Sequence, residues 1–199
     1  MTLTRRLFTA LALCAALPAN AQQLSLAEIS GYLNALQTAQ GGFTQINADG
    51  TISTGVIYIK RPGRMRFEYA APDNSMVIAG GGRVAIFDPR SNTGPEQYPL
   101  NQTPLKIILE RVVDLGARDM VTGHTSDGTT TTVTAQDPEA PELGSIQLVF
   151  TANPVELRQW IVTDDAGSQT TVILNDLVAG GTIRDVLFNI ESEIRNWAP

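Results

Sequence analysis

The single histidine is the first candidate for chemistry, because nucleophilic triads and most metal sites in proteins use an imidazole. His124 lies in Thr-Gly-His-Thr-Ser-Asp, which is typical of a strand end or a turn. The sequence contains no Gly-x-Ser-x-Gly, no Glu-x-x-His and no cluster of cysteine with histidine. We therefore expect an exposed turn histidine and no metal site built on it.

Two carboxylate pairs could be proposed as acid and base, Asp164 with Asp165 and Glu191 with Glu193. The first pair has the character of a solvated turn and the second of terminal surface charge. No P-loop and no Gly-x-Gly-x-x-Gly fingerprint is present. We expect no catalytic residue, no metal and no cofactor, so the chain is not predicted to be an enzyme. A lipid hydrolase is kept as a third interpretation, and it would have to use His124 as its base.

The segment from Gly55 to Pro72 carries the clearest pattern, two strands joined by a turn at residues 60–63, Lys-Arg-Pro-Gly. In the second strand charged residues alternate with Met65, Phe67 and Tyr69. In the first strand Arg61 shares a face with Ile57 and Ile59, and a cation at the end of an apolar row must find hydrogen-bond acceptors. The apolar stripe can be the filled core of a β-protein or the wall of a binding cavity.

Two helices must lie near this stripe. The sequence Ser25-Leu26-Ala27-Glu28 is a capping box that starts the first helix. Its apolar side carries Leu26, Ile29, Leu33 and Leu36. We expect Gly41-Gly42 to end it. Thr103-Pro104 predicts the start of a second helix that ends near Arg111.

The chain as a whole predicts about eleven short strands, including the two above and a possible last strand at Asp185–Ile190. Strands that follow one another through short turns favour an antiparallel sheet, and so many usually curl or close. An open sheet of this kind needs the helices to cover its concave face. The sequence therefore predicts a mainly β protein with a few helices.

The first 21 residues are predicted to be a cleaved export signal, with Arg5 and Arg6 before an apolar run that ends at Leu17. Both the general and the twin-arginine export routes fit these residues. The only cysteine, Cys14, would leave with the signal, and residues 22–199 would form one domain of 12 basic and 20 acidic residues, net charge −8. This charge argues against nucleic acid as a partner. The acidic loop Asp137–Glu142 favours solubility or repulsion from anionic membranes.

The pattern resembles the outer-membrane lipoprotein carrier family, the LolA-like proteins. The motifs that carry the resemblance span the chain after the signal and include Phe43-Thr44-Gln45, Gly55-x-x-Tyr58-x-Lys60-Arg61-Pro62, Met65-Arg66-Phe67-Glu68-Tyr69, Phe87-Asp88-Pro89, Thr103-Pro104-Leu105 and Ile146-x-Leu148-x-Phe150. The Lys-Arg-Pro turn is the most specific of them.

The resemblance implies an incomplete, unclosed antiparallel β-barrel with a helical lid over a hydrophobic cavity. The residues expected to line an acyl-chain cavity are Phe43, Ile57, Ile59, Met65, Phe67, Tyr69, Ile78, Ile86, Leu105, Ile108 and Leu109. Arg61 matches the family arginine that holds the lid through backbone carbonyls. The corresponding acceptors are expected around Arg111 to Asp114.

The resemblance also implies a function. A periplasmic carrier would receive acylated lipoproteins from an inner-membrane ABC releasing complex and deliver them to an outer-membrane receptor or to the outer membrane itself. We expect such a carrier to act as a monomer. The same fold could instead serve as a periplasmic sensor of lipids or stress signals that regulates a membrane partner, and this alternative stays open at the level of sequence.

Overall fold

A computed structural model describes residues 22–117 and 119–197. The predicted export signal at residues 1–21 lies outside these described residues. Eleven antiparallel strands form one continuous sheet in the order β6-β5-β4-β3-β2-β1-β11-β10-β9-β8-β7. The strands are β1 Thr38–Ile46, β2 Ile52–Lys60, β3 Arg64–Tyr69, β4 Met76–Gly80, β5 Arg83–Phe87, β6 Glu96–Pro99, β7 Val121–Ser126, β8 Thr130–Gln136, β9 Ser145–Ala152, β10 Val155–Thr163 and β11 Gln169–Ala179. Because β6 and β7 are its edges, the sheet is the unclosed barrel that the family resemblance implied.

The helices are short and lie at three places in the chain. They are α1 Leu26–Ala35, α2 Lys106–Leu109 and α3 Ile190–Asn196, with 3-10 turns at Leu100–Gln102, Pro141–Leu143 and Asp185–Phe188. The predicted capping box of α1 is confirmed: Glu28 N donates to Ser25 Oγ at 3.2 Å, and Ser25 N donates to Glu28 Oε2 at 2.8 Å. The predicted second helix is shorter than expected. Only residues 106–109 are α-helical, so the helix begins after Thr103-Pro104 and ends before Arg111.

The first strand begins earlier than the sequence indicated. Gly41 and Gly42 do not end α1, which stops at Ala35, but lie inside β1. A Cβ atom at Gly41 would lie 2.9 Å from the carbonyl oxygen of Asn175 on β11. The pairing of β1 with β11 is irregular between Gln40 and Gly42. The glycine is therefore needed for a close approach of two strands at a bulge, rather than for a helix end.

Strand alternation divides the sheet into two covered faces. The inner face carries the larger apolar cluster, in which α1 and α2 take part. The outer face of β4 and β5 carries a second cluster, which packs against α3. The predicted strand at Asp185–Ile190 is wrong, because these residues form a 3-10 turn and the start of α3.

The connection between the two edge strands supplies the cover of the inner face. We call its residues 100–117 the crossover, and α1 together with the crossover the lid. The crossover runs from β6, at one edge of the sheet, toward β7, at the other. It therefore spans the gap that an unclosed barrel leaves between its edges.

Candidate functional site: an apolar sheet face beneath a lid

The inner face of β1, β2 and β3 forms the centre of the site. Register pairing aligns Phe43 with Gly55, Ile57 with Phe67, and Ile59 with Met65. These apolar side chains are at most 5% exposed. They share one cluster with Leu33 of α1 and with Ile108 and Leu109 of α2, and Tyr69 and Leu105 pack against its border. The structure thus brings most of the predicted wall residues together, with the lid lying directly on them.

Ile78 is an exception among the predicted wall residues. It lies on β4 opposite Ala85, and both belong to the outer cluster with Phe87 and Ile190. The prediction that Ile78 lines the inner face is therefore wrong. The physical reason is that β4 is covered on both sides, so its apolar residues do not alternate with polar ones and periodicity cannot tell the two faces apart.

Aromatic side chains run through the inner cluster. The Phe43 ring meets Phe67 and Tyr69 edge-on, with centroids 5.2 and 5.1 Å apart, and Phe67 meets Trp160 at 6.3 Å. Such edge-to-face pairs add to the stabilisation from area burial. Sequence reasoning missed Trp160, which lies on β10 opposite Val172 and is 1% exposed. The sequence feature that could have located it is the apolar alternation of the neighbouring strand β9, in which Ile146, Leu148 and Phe150 recur at every second position and Leu148 pairs with Trp160.

Arg61 joins the sheet to the lid. The turn after β2 directs its guanidinium toward α1 and α2, where Nη1 donates to the carbonyl oxygen of Leu33 and Nη2 donates to that of Glu110 at 2.5 Å. Asn34 Oδ1 lies 3.5 Å from Nη2. The prediction that the acceptors lie at residues 111–114 is wrong. The acceptors are Leu33 O, near the end of α1, and Glu110 O. In the same turn Gly63 N donates to Leu109 O at 2.9 Å.

Burial makes these contacts of Arg61 energetically important. The residue is 4% exposed, and burial lowers the pKa of its guanidinium, which the charge of Glu110 partly opposes. Leu33 O is one of the last carbonyls of α1, and Glu110 is the C-terminal cap of α2. The cation therefore lies where both helices present unpaired, partly negative carbonyls. Its Nε is buried without a hydrogen-bond partner.

The two parts of the lid are joined to each other by side chains of α1. Asn34 Nδ2 donates to Val113 O at 2.8 Å, and Val113 N donates to Asn34 Oδ1 at 2.9 Å. Leu115 N donates to Ser30 Oγ at 3.0 Å. These contacts make α1 and the crossover one unit. Sequence reasoning missed Asn34 and Ser30, because their partners are about eighty residues away in the chain.

A groove of about 760 Å³ lies at one end of the inner face, which we call the mouth groove. Ile86, predicted as a wall residue, lines it together with Tyr69 and Val77. The Tyr69 hydroxyl donates to Gln45 Oε1 at 2.8 Å, so this pair lies between the groove and the Phe43 ring. Much of the remaining lining is polar.

His124 has a structural contact rather than the expected exposed turn position. It lies within β7, half-buried, and its Nε2 is 2.8 Å from Leu24 O. Leu24 N donates to Thr131 Oγ1 at 2.9 Å, which holds the segment just before α1 on β8. Over residues 22–117 and 119–197, no group of three or more His, Cys, Asp or Glu could hold a metal ion. Within the same ranges, none of the helices is both long and apolar enough to cross a bilayer.

Comparison with known proteins identifies the family of the chain. The sequence profile of the family described as outer membrane lipoprotein carrier protein LolA matches residues 34–191. The outer-membrane lipoprotein carrier protein of Pseudomonas aeruginosa strain UCBPP-PA14 is 26% identical over 186 residues, covering 89% of this chain and 88% of that protein. That of Chromohalobacter salexigens is 26% identical over 184 residues, covering 88% and 86%. The LolA superfamily protein of Nitrosomonas europaea has a similar solved structure, with 10% identity, a TM-score of 0.42 and coverage of 83% and 98%. Since the profile spans the strands, α2 and Arg61, the chain belongs to the outer membrane lipoprotein carrier protein LolA family.

Proposed function

We propose that this chain is a periplasmic carrier that holds the acyl chains of lipoproteins between the inner sheet face and the lid, and moves them from the inner to the outer membrane. One observation carries the proposal. A large apolar face is covered by a lid that a buried cation, Arg61, attaches through hydrogen bonds to carbonyl oxygens. A lid held by such bonds can be displaced without breaking the sheet.

Cargo binding would take place by exchange of apolar surfaces. In the closed form the inner wall, from Phe43 to Phe67, is covered by lid residues such as Leu33 and Leu109. Acyl chains would replace these side chains, so the wall stays out of water in both forms. The mouth groove beside Tyr69 would lie outside the acyl chains.

The size of the hydrophobic effect supports a carrier rather than free diffusion. A lipoprotein with on the order of 45 acyl methylenes would lose about 35 kcal/mol on leaving a bilayer for water. A carrier that buried all of these chains at no cost would exceed the practical limit of about 20 kcal/mol for noncovalent affinity. The cost of displacing the lid must therefore offset part of the free energy gained by burying the chains. Bilayer and carrier bury the same chains, and therefore small differences decide the direction of transfer.

Arg61 supplies such a difference in this proposal. Each hydrogen bond from its charged guanidinium is worth about 1.5–3 kcal/mol. Loading would separate Arg61 from Leu33 and Glu110, and unloading would restore both bonds. The loaded carrier is therefore the less stable form, ready to release its cargo.

The partners follow from this role. The carrier would accept lipoproteins from an inner-membrane ABC releasing complex and pass them to an outer-membrane receptor or to the membrane itself. One copy suffices, because a single chain supplies both the wall and the lid. We propose no catalytic step at this site.

The test is isolation of the protein from periplasm in its native state, followed by mass spectrometry of what is bound. We expect peptides with an acylated N-terminal cysteine. The test variant is Phe67→Glu, which places a charge on the inner wall and should reduce the bound acylated peptides at least tenfold. Its matched control is Glu68→Gln on the outer face, which should not reduce them. Recovery of the wild-type protein with no acylated peptide, under conditions in which lipoproteins are being exported, would contradict the proposal.

A further inference from the structure

The lid is attached to both halves of the sheet. Arg61 ties it to the half that contains β1 to β6. On the other half, the ammonium of Lys106 pairs with the carboxylate of Asp137. Lys106 is the first residue of α2, and Asp137 follows the last residue of β8.

This ion pair is partly buried. Its two side chains are 25% and 15% exposed, which is similar to the Arg66–Glu193 pair at 9% and 25% and well below the Arg83–Glu191 pair of the outer face at 47% and 59%. Partial burial reduces screening by water and salt. The acidic loop that begins at Asp137 therefore makes a specific ion pair with the lid, in addition to any general effect of its charge on solubility.

The two ties also have opposite signs. A cation of the sheet, Arg61, holds the C-terminal end of α2 at Glu110 O. An anion of the sheet side, Asp137, holds its N-terminal end at Lys106. The chain that follows the crossover is also attached to β8, where Gln136 N donates to Met120 O at 2.9 Å. With α2 only four residues long, these end contacts, together with its buried side chains, fix its position.

We propose that the Lys106–Asp137 pair is a second latch, which controls opening of the lid on the side of β7 and β8. Loss of this pair lets the crossover lift from β8 while Arg61 still holds it to the β2–β3 turn. Lys106 and Asp137 are positioning residues and touch no cargo in this proposal. The inference rests on the proposed function in treating the lid as a moving part, but its test needs no cargo.

The chain offers a clean reporter for lid opening. Cys14 is its only cysteine, so in a Cys14→Ser background a single introduced thiol is the only one. Ala135 on β8 and Ala79 on β4 both lie on the covered inner face, at 0% and 3% exposure. Ala135→Cys reports on the side of the proposed latch, and Ala79→Cys reports on the side held by Arg61. The rate of maleimide labelling of the cargo-free protein measures opening at each.

We expect Lys106→Gln and Asp137→Asn each to raise the labelling rate at position 135 by about tenfold, as for the loss of one charge-assisted contact. The double variant should label no faster than either single one, because both remove the same interaction. Arg83→Gln neutralises a cation of an exposed pair on the outer face and is the matched control, with no acceleration expected. At position 79 the latch variants should have a smaller effect.

Three results would overturn the second latch: no acceleration in either single variant, effects of the two that multiply in the double variant, or equal acceleration at positions 79 and 135. The last would mean that the pair supports the whole fold instead of one side of the lid. If the native protein carries no acylated peptide but labelling behaves as expected, the latch stands and the proposed cargo is wrong.

Discussion

The Arg61 guanidinium donates to the carbonyl oxygen of Leu33, which lies in the last turn of α1. The last turn of α1 contains no basic residue of its own. An arginine twenty-eight residues along the chain therefore compensates the partial negative charge at this helix end. The stability of the lid is in this way linked to the turn between β2 and β3.

Replacement of Arg61 by leucine tests the role proposed for this residue in cargo release. Leucine keeps the apolar volume but cannot donate, so the closed, empty form loses its bonds to Leu33 and Glu110. We expect the variant to remain folded and to load cargo, with release to acceptor membranes slowed at least tenfold. The measurement is the transfer rate of a purified, fluorescently labelled lipoprotein from the carrier to outer-membrane vesicles. Unloading at the wild-type rate would refute this role of Arg61.

Asn34→Ala tests the joint between α1 and the crossover. The substitution removes both hydrogen bonds to the backbone of Val113, which is 2% exposed. Buried backbone groups without partners cost about 1–3 kcal/mol, and we expect the free energy of unfolding in urea to fall by this amount. Asn101→Ala, at an exposed residue of the 3-10 turn in the crossover, is the control and should change this free energy little. Equal effects of the two substitutions would mean that the Asn34 contacts contribute no specific stability.

Local periodicity explains why much of the inner wall could be predicted. In β3 one face is apolar and the other charged, so Met65 and Phe67 are assigned correctly from alternation alone. In β4 apolar residues occupy both faces, and Ile78 was therefore placed on the wrong one. Alternation reports the face of a strand only when one side is polar.

The lid contacts could not be predicted for a different reason. Asn34 meets Val113, and Lys106 meets Asp137, only after the crossover has folded over the sheet. Their residue types are equally common on exposed helix surfaces and loops, so no local pattern marks them. The glycines at 41 and 42 gave a misleading signal, because glycine serves both helix ends and close strand approaches.

Gly55→Ala tests the packing of β2 against β3 at the edge of the aromatic cluster. An added methyl group would overlap the carbonyl oxygen of Glu68 and approach the Phe43 ring. Neither backbone can move without disturbing the register of the pair, and we expect a loss of about 2 kcal/mol or more in thermal or urea unfolding. Gly94→Ala is the control, since an added Cβ there meets no atom within 4 Å. A Gly55→Ala protein as stable as wild type would show that the strands separate more easily than this packing implies.

Arg66→Met tests the attachment of the C-terminal segment to the outer face. Arg66 is 7% exposed and donates to Glu68 at 2.6 Å, to Glu193 at 2.9 Å and to Leu187 O at 3.0 Å. Removing one partner of a buried pair leaves the other charge uncompensated, and we expect a loss of about 3 kcal/mol with faster amide exchange in α3. Arg158→Met breaks the exposed pair with Glu156 and should cost less than about 1 kcal/mol. Unchanged exchange in α3 would argue that its apolar contacts alone hold it.

Tyr69→Phe tests how the hydroxyl of Tyr69, beside the mouth groove, makes the stability of the protein depend on pH. Burial raises the pKa of Tyr69 to about 12. The folded state then keeps the phenol proton at a pH at which the unfolded chain, with a pKa near 10, releases it. This contribution to stability is complete below about pH 10 and is lost as the pH rises toward 12.

We expect the wild-type protein to lose up to about 2 kcal/mol more than Tyr69→Phe between these values. Urea midpoints of both proteins at intervals from pH 8 to about 11.5 measure the difference. Parallel curves would mean that the Tyr69 hydroxyl is open to solvent and that the groove is not separated from the interior by this side chain.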